Sequence, residues 1–236
     1  MNILALETSS SWCSVALWRD GTLVAHEELA GQRHSELLLP MTSALLTQAA
    51  LRVQDLDAVA YGAGPGSFTG LRIACGTAQG IAAGAGILTV GVGTLLALAQ
   101  ASGAHRVLAC LDARMGEIYC AAYERSAQTW DVVHPPQLCA PSAGPVLSGD
   151  GWTGAGGGFD AHANVLAQRY AGQIREVQPQ LHPRAHEVAV LATELLRQGK
   201  GVPPEEAHPL YLRDHVALTI EERRVRGLAA AAEHDR

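Results

Sequence analysis

Between Tyr61 and Gly76 the sequence reads YGAGPGSFTGLRIACG, five glycines and a proline running into a small-residue helix. Glycine-rich loops that open a helix can cradle a phosphate, because bare backbone N–H groups and the helix N-terminus both favour an anion. The spacing here fits neither GxGxxG nor a P-loop, and no Lys-Ser/Thr pair follows. Arg72 is the one cation of the stretch and lies a turn into the helix. Ser67 lacks the GxSxG setting of an elbow nucleophile. Its place ahead of the run 68–83 makes it a helix cap that accepts a backbone N–H. One HxxxH pair is present, His182 and His186. Pro183 favours the first helical position, which leaves His182 outside the helix and off the face of His186. Metal binding is not expected there.

The elements that must position these residues follow from local pattern. The opening reads as three strands: NILALE, the alternating WCSVALW and, after Asp20-Gly21, GTLVAHEEL. Asp-Gly between two strand-like runs signals a hairpin, and Glu7-Thr8-Ser9-Ser10 forms the first turn. A helix is expected from His34 to Ala50, with Ser35 as N-cap, Pro40 as an early kink and Leu37, Leu38, Met41, Leu45 and Ala49 at helical spacing. LDAVAYG is a buried strand ahead of the glycine loop and its helix; strand ILTVGVG and helix TLLALAQA follow. Val107–Asp112 then repeats Ile3–Glu7: an apolar strand ends in a carboxylate, and a polar turn leads to an alternating strand, EIYCAAY matching WCSVALW. The repeat predicts two related halves. The second is degenerate, with a short strand VLSG, a glycine-rich loop over 149–158, a helix near 161–170 and another across 184–197. The expected units are residues 1–104 and 105–214, with the helix near 184–197 packing back on the first, and a flexible tail over 215–236.

At 236 residues, 48% hydrophobic and 17% charged, the chain can build a packed core without disulfides. Five scattered cysteines without a CxxC pair fit a reducing compartment, and Met1-Asn2-Ile3 enters a strand with no signal peptide, so a cytoplasmic location is expected. Residues 73–104 carry no charge over more than the length of a bilayer span. Repeated glycines, with Gln79 and Gln100, break that run into helix, turn, strand and helix, so no membrane segment is expected. A net charge of −6 argues against a stand-alone nucleic-acid binder.

Halves of the form β-β-β-α-β-α, each with an acidic turn after its first strand, resemble the actin, Hsp70 and sugar-kinase superfamily. That is an α/β, actin-like (ASKHA) fold of two related ribonuclease-H-like halves. Within it, ILALETSSSWCSVAL, RHSELLLP, GPGSFTGLRI, LDARMGEIY and HPLYLRD resemble the TsaB (YeaZ) family in order and spacing, from Ile3 to Asp214. The resemblance implies a non-catalytic paralogue of TsaD, a scaffold that acts with it and with the ATPase TsaE in making threonylcarbamoyladenosine at position 37 of tRNA. It also implies that tRNA is met only through the complex. Catalytic relatives in this branch carry an HxxxH metal pair on the helix after the strand that here reads ILTVGVG. The corresponding turn is Thr94-Leu95-Leu96-Ala97-Leu98, and Thr94 and Leu98 cannot replace two imidazoles at i and i+4. No catalytic residue, metal or required cofactor is therefore expected. Glu7, Thr8, Ser9 and Ser10, with Asp112 in the second half, stand where superfamily kinases organise Mg²⁺ and phosphate. They form either a vestigial, weakly binding nucleotide site or a turn closed by local hydrogen bonds, the reading preferred here. An independent nucleotide-dependent kinase or hydrolase is the alternative function.

The helix after the glycine loop holds Gly70, Ala74 and Ala78 at i, i+4 and i+8, and Gly76, Gly80 and Gly84 on the same spacing. Interior glycine costs about 1 kcal/mol relative to alanine, tolerated where backbones must approach closely, either in packing within the chain alone or at a surface that this helix and the preceding one form for another subunit. The resemblance implies that this helix and the preceding one dock TsaD, or a second copy as a homodimer. Leu38, Met41, Leu45, Gly70, Ala74 and Ala78 are the expected contact residues, with Arg33 and His34 at the rim. On that expectation Ala74→Arg abolishes pairing and leaves the monomer folded.

Overall fold

The computed structural model describes residues 1–127 and 129–213; the tail expected over 215–236 lies outside them. Two five-stranded sheets carry the chain. In the first, β3 (Thr22–Leu29), β2 (Trp12–Arg19), β1 (Asn2–Glu7), β4 (Ala58–Gly64) and β5 (Leu88–Gly93) lie side by side in that order. β1 pairs antiparallel with β2 and parallel with β4. In the second, β8 (Thr129–Cys139), β7 (Glu117–Ser126), β6 (Arg106–Arg114), β9 (Trp152–Ala155) and β10 (Ile174–Gln178) repeat both the order and the directions. The duplication is therefore complete in strands.

It is incomplete in helices. The first half has α1 (His34–Gln48), α2 (Phe68–Ala85) and α3 (Thr94–Ser102). The second has a 3-10 turn over Pro141–Ala143, the short α4 (Gly158–Ala161) and α5 (Ala163–Arg169), and α6 (Ala185–Arg197). Period-two alternation on β1 assigns each face a cover. Leu4 and Leu6, with Val15, Leu17, Val59 and Tyr61, pack against α1 and α2. Ile3 and Ala5, with Ala16, Ala60, Val90 and Val92, pack against Ala185, Val188, Ala189 and Ala192 of α6. Alanine meets alanine on that side, so α6 lies close to the sheet. Its first backbone N–H is taken by Ser14 Oγ on β2, at 2.8 Å. α3 in turn packs Leu95, Leu98 and Ala99 on Val107, Ala109 and Ala121 of the second sheet. Each half thus lends a helix to the other, and the two halves are held against each other.

Several local expectations are corrected. α1 begins at His34 with Arg33 in the N-cap position and no side-chain cap, so Ser35 is an exposed residue inside the first turn. The helix expected near 161–170 breaks at His162 into α4 and α5. VLSG is not a strand. Its carbonyls serve side chains instead: Leu147 O accepts from Gln173, and Ser148 O from both Arg106 and the Trp152 indole. β8 forms despite Pro135 and Pro136, which an edge strand tolerates because half its N–H groups face away from the ladder. Among the described residues no helix is long and apolar enough to cross a membrane.

Candidate functional site

A cavity of about 490 Å³ opens between the two halves. The turn after β1 supplies Ser9, Ser10 and Ser11, the glycine loop Pro65, Gly66 and Ser67, and the end of β6 Asp112 and Arg114. Residues 210–213 close one side. Two of the proposed nucleotide residues point elsewhere. Glu7 is fully buried, and its Oε1 accepts the Ser9 backbone N–H at 2.5 Å. Burial raises its carboxyl above the usual range, opposed by the hydrogen bonds from Ser9 and Thr8. The Thr8 hydroxyl is likewise buried and donates to Gly70 O at 2.7 Å. Glu7 and Thr8 thus hold the turn from behind, while Ser9, Ser10 and Asp112 line the cleft. Ser10 Oγ accepts the Trp12 N–H at 3.2 Å, and Asp112 accepts the Arg114 N–H at 2.9 Å. Asp112 also faces Arg114 at 3.3 Å and His162 at 3.5 Å.

The glycine loop answers to contacts within the chain. A Cβ on Gly70 would collide with the Thr8 carbonyl oxygen, and one on Gly66 would meet Ser9 at 2.7 Å. Gly64 has φ +114°, and its Cβ would lie 2.8 Å from Leu210 O. Three of its donors are engaged within the chain: Ser67 N–H with Ser9 O at 2.8 Å, Gly64 N–H with Thr94 Oγ1 at 3.0 Å, and Gly70 N–H with Ser67 Oγ at 3.3 Å. Ser67 is the N-cap of α2. The chain's single lysine, Lys200, lies beyond α6. A loop pressed against a neighbouring turn accounts for the glycines without a phosphate.

Thr94 and Leu98 are both fully buried. Thr94 holds the loop through Gly64, and a Cβ on Gly156 would run into Leu98. Where a metal pair would stand there is packed core. His182 lies outside α6, stacks on Trp12 at 4.6 Å and reaches Glu27 at 3.3 Å. His186 is exposed and contacts Glu187 at 3.1 Å. Among the described residues no three His, Cys, Asp or Glu side chains gather as metal ligands.

The expected docking residues are corrected by their burial. Leu38, Leu45, Gly70, Ala74 and Ala78 are buried within the chain, and only Met41 is partly so. His34 is 5% exposed and lines the cleft; burial pushes its imidazole pKa down. Arg33 is exposed and pairs with Glu28 at 2.9 Å. Ala74→Arg would therefore place a guanidinium in the core and unfold the monomer. The second stripe faces out: Gly76, Gly80 and Gly84 are exposed, and a Cβ on any of them would meet nothing within 4 Å. On α1, Leu39 is 56% exposed.

Residues 208–213, HPLYLR, which carried no assigned role in the sequence, prove to be a strap between the halves. Tyr61 Oη donates to His208 O, Leu210 N–H to Ala63 O at 2.7 Å, and Arg72 Nε to Tyr211 Oη at 2.9 Å. At its far end Arg213 bonds Ala113 O at 3.0 Å and Glu117 at 2.8 Å in the second half. Nothing in local periodicity reveals such a segment; only its polar-aromatic composition hints at contacts.

A family model described as TsaD, tRNA N6-adenosine threonylcarbamoyltransferase, matches residues 26–220. The tRNA threonylcarbamoyladenosine biosynthesis protein TsaB of Escherichia coli is 40% identical over 227 residues, covering 92% of this chain and 96% of that protein. TsaB of Haemophilus influenzae is 33% identical, covering 92% and 95%. The solved structure of YeaZ from Pseudomonas aeruginosa superposes with a TM-score of 0.83 at 35% identity, over 89% of this chain and 99% of that one. The fold is thus the actin-like, ribonuclease-H-like one that the repeat implied.

Proposed function

We propose that this chain, which belongs to the TsaB family of tRNA threonylcarbamoyladenosine biosynthesis proteins and matches the family model of the transferase TsaD, serves that pathway as a non-catalytic subunit that docks TsaD. The observation that carries the reading is the outer face of α2. Glycine in a helix costs about 1 kcal/mol relative to alanine. Gly76, Gly80 and Gly84 have open space where a side chain would stand, so no contact within the described chain calls for glycine there. A backbone brought close from another polypeptide gives them a reason. Leu39 on α1 is a further exposed apolar side chain. Thr94 and Leu98, built into the core, support a subunit without its own metal chemistry. TsaE and tRNA then engage the pair and not this chain alone, in the cytoplasm and with no cofactor required of this subunit. Ser9, Ser10 and Asp112 are left as the residues through which the cleft could take a nucleotide weakly.

The test is reconstitution. Threonylcarbamoyl transfer to tRNA is expected only when this chain, TsaD and TsaE are all present. The chain alone is expected to turn over no ATP and to shift no tRNA in a gel. Turnover by the isolated chain would favour the kinase or hydrolase alternative.

A further inference from the structure

A pair of thiols in the second sheet lies outside everything described above. Cys120 on β7 stands opposite Gln137 on β8, and Cys139 stands opposite Ile118. Cys120 and Cys139 are therefore diagonal neighbours on one face of two antiparallel strands. Their sulfurs are 3.7 Å apart. The side-chain amide of Gln137 donates to both, at 3.7 Å from each. Cys120 is fully buried, whereas Cys139 is half-buried and open to a small oxidant. A disulfide needs sulfurs about 2.05 Å apart on Cα atoms about 4.4–6.8 Å apart; diagonal neighbours on adjacent strands stand about 7–8 Å apart, so closure draws the two strands together by about an ångström, beside the register irregularity between Cys120 and Ala122. The sulfurs themselves have about 1.7 Å left to close, which side-chain rotation shares with that backbone shift.

We propose that Cys120 and Cys139 are a modification site, forming a reversible intramolecular disulfide when the protein meets a hydroperoxide. Cys139 reacts first. Its thiolate attacks the peroxide oxygen; an S–O bond forms, the O–O bond breaks, and water or an alcohol leaves, giving a sulfenic acid. Cys120 sulfur then attacks Cys139 sulfur; the S–S bond forms, the S–O bond breaks, and the Cys120 proton leaves with the hydroxyl as water. Two thiols lose two electrons and one hydroperoxide gains them. Burial raises the Cys120 thiol pKa to about 12, which suits it to resolve and not to initiate. Cys110, opposite Cys120 on β6, is fully buried and takes no part; its Sγ would be struck by a Cβ on Gly158.

The experiment treats the full chain with hydrogen peroxide, blocks free thiols by alkylation and maps peptides without reduction. The expected product is a peptide pair joined through Cys120 and Cys139, two hydrogens lighter and released by dithiothreitol. Cys139→Ser is expected to abolish it, and Cys110→Ser to leave it unchanged. Cys139 over-oxidised to sulfinic or sulfonic acid beside an alkylated Cys120 would overturn the proposal, as would a crosslink that runs only between chains.

Discussion

Along α2, Ala74, Ala78 and Ala82 face inward after Gly70, and Gly76, Gly80 and Gly84 face outward, on the same four-residue spacing. Sequence alone cannot tell these stripes apart, since both are small residues on a helix. Their neighbours can. The inner stripe is small because the sheet and the Thr8 carbonyl leave no room. The outer stripe is small with nothing beside it. A small residue explained by the chain's own packing speaks of folding, and one left unexplained by it speaks of a partner.

Substitutions at the two stripes should therefore diverge. Ala74→Arg, at a position with no exposure, is expected to destabilise the monomer by more than about 4 kcal/mol and leave it unfolded by circular dichroism. A folded Ala74→Arg monomer would erase the distinction between the faces. Gly70→Ala is expected to cost about 1–3 kcal/mol in a denaturant titration, since the added methyl collides with backbone that cannot swing aside. The same change at Gly80 is expected to have the opposite sign, stabilising by up to about 1 kcal/mol through helix propensity alone.

The smallest effect concerns the turn against which the inner stripe packs. Burial raises the Glu7 carboxyl above its usual 4.5, so the folded chain keeps a proton that the unfolded chain releases. Glu7's contribution to stability is then fully present below that value and declines as the pH rises above it. Glu7→Gln is expected to flatten the decline and melt a few degrees higher near pH 7, by roughly 1 kcal/mol or less. A thermal midpoint in Glu7→Gln that follows pH as steeply as in the parent would show that another group carries the dependence.

Much of the fold was legible because it is written in local pattern. The apolar strands ending in Glu7 and Asp112, the Asp20-Gly21 turn and the small-residue helix each declare themselves within a few residues. β8 and β10 were not, since their pairing depends on neighbours far along the chain, and the prolines of β8 argue locally against a strand. The candidate site was half legible. Small-residue spacing located the helix, but which stripe faces outward depends on where the Glu7–Ser10 turn settles, a contact spanning some sixty residues. The strap through Arg213 was invisible for the same reason, because its partners lie about a hundred residues away.

The most direct measurement is mass-resolved chromatography of Gly80→Arg mixed with the cognate TsaD, beside a thermal melt of the variant alone. Gly80 is exposed and a Cβ there meets nothing within 4 Å, so the melt should match or exceed that of the parent, while a complex of both chains should weaken at least about a hundredfold, or roughly 2.7 kcal/mol. A variant that melts normally and still forms the complex at parent affinity would contradict the assignment of this face to docking.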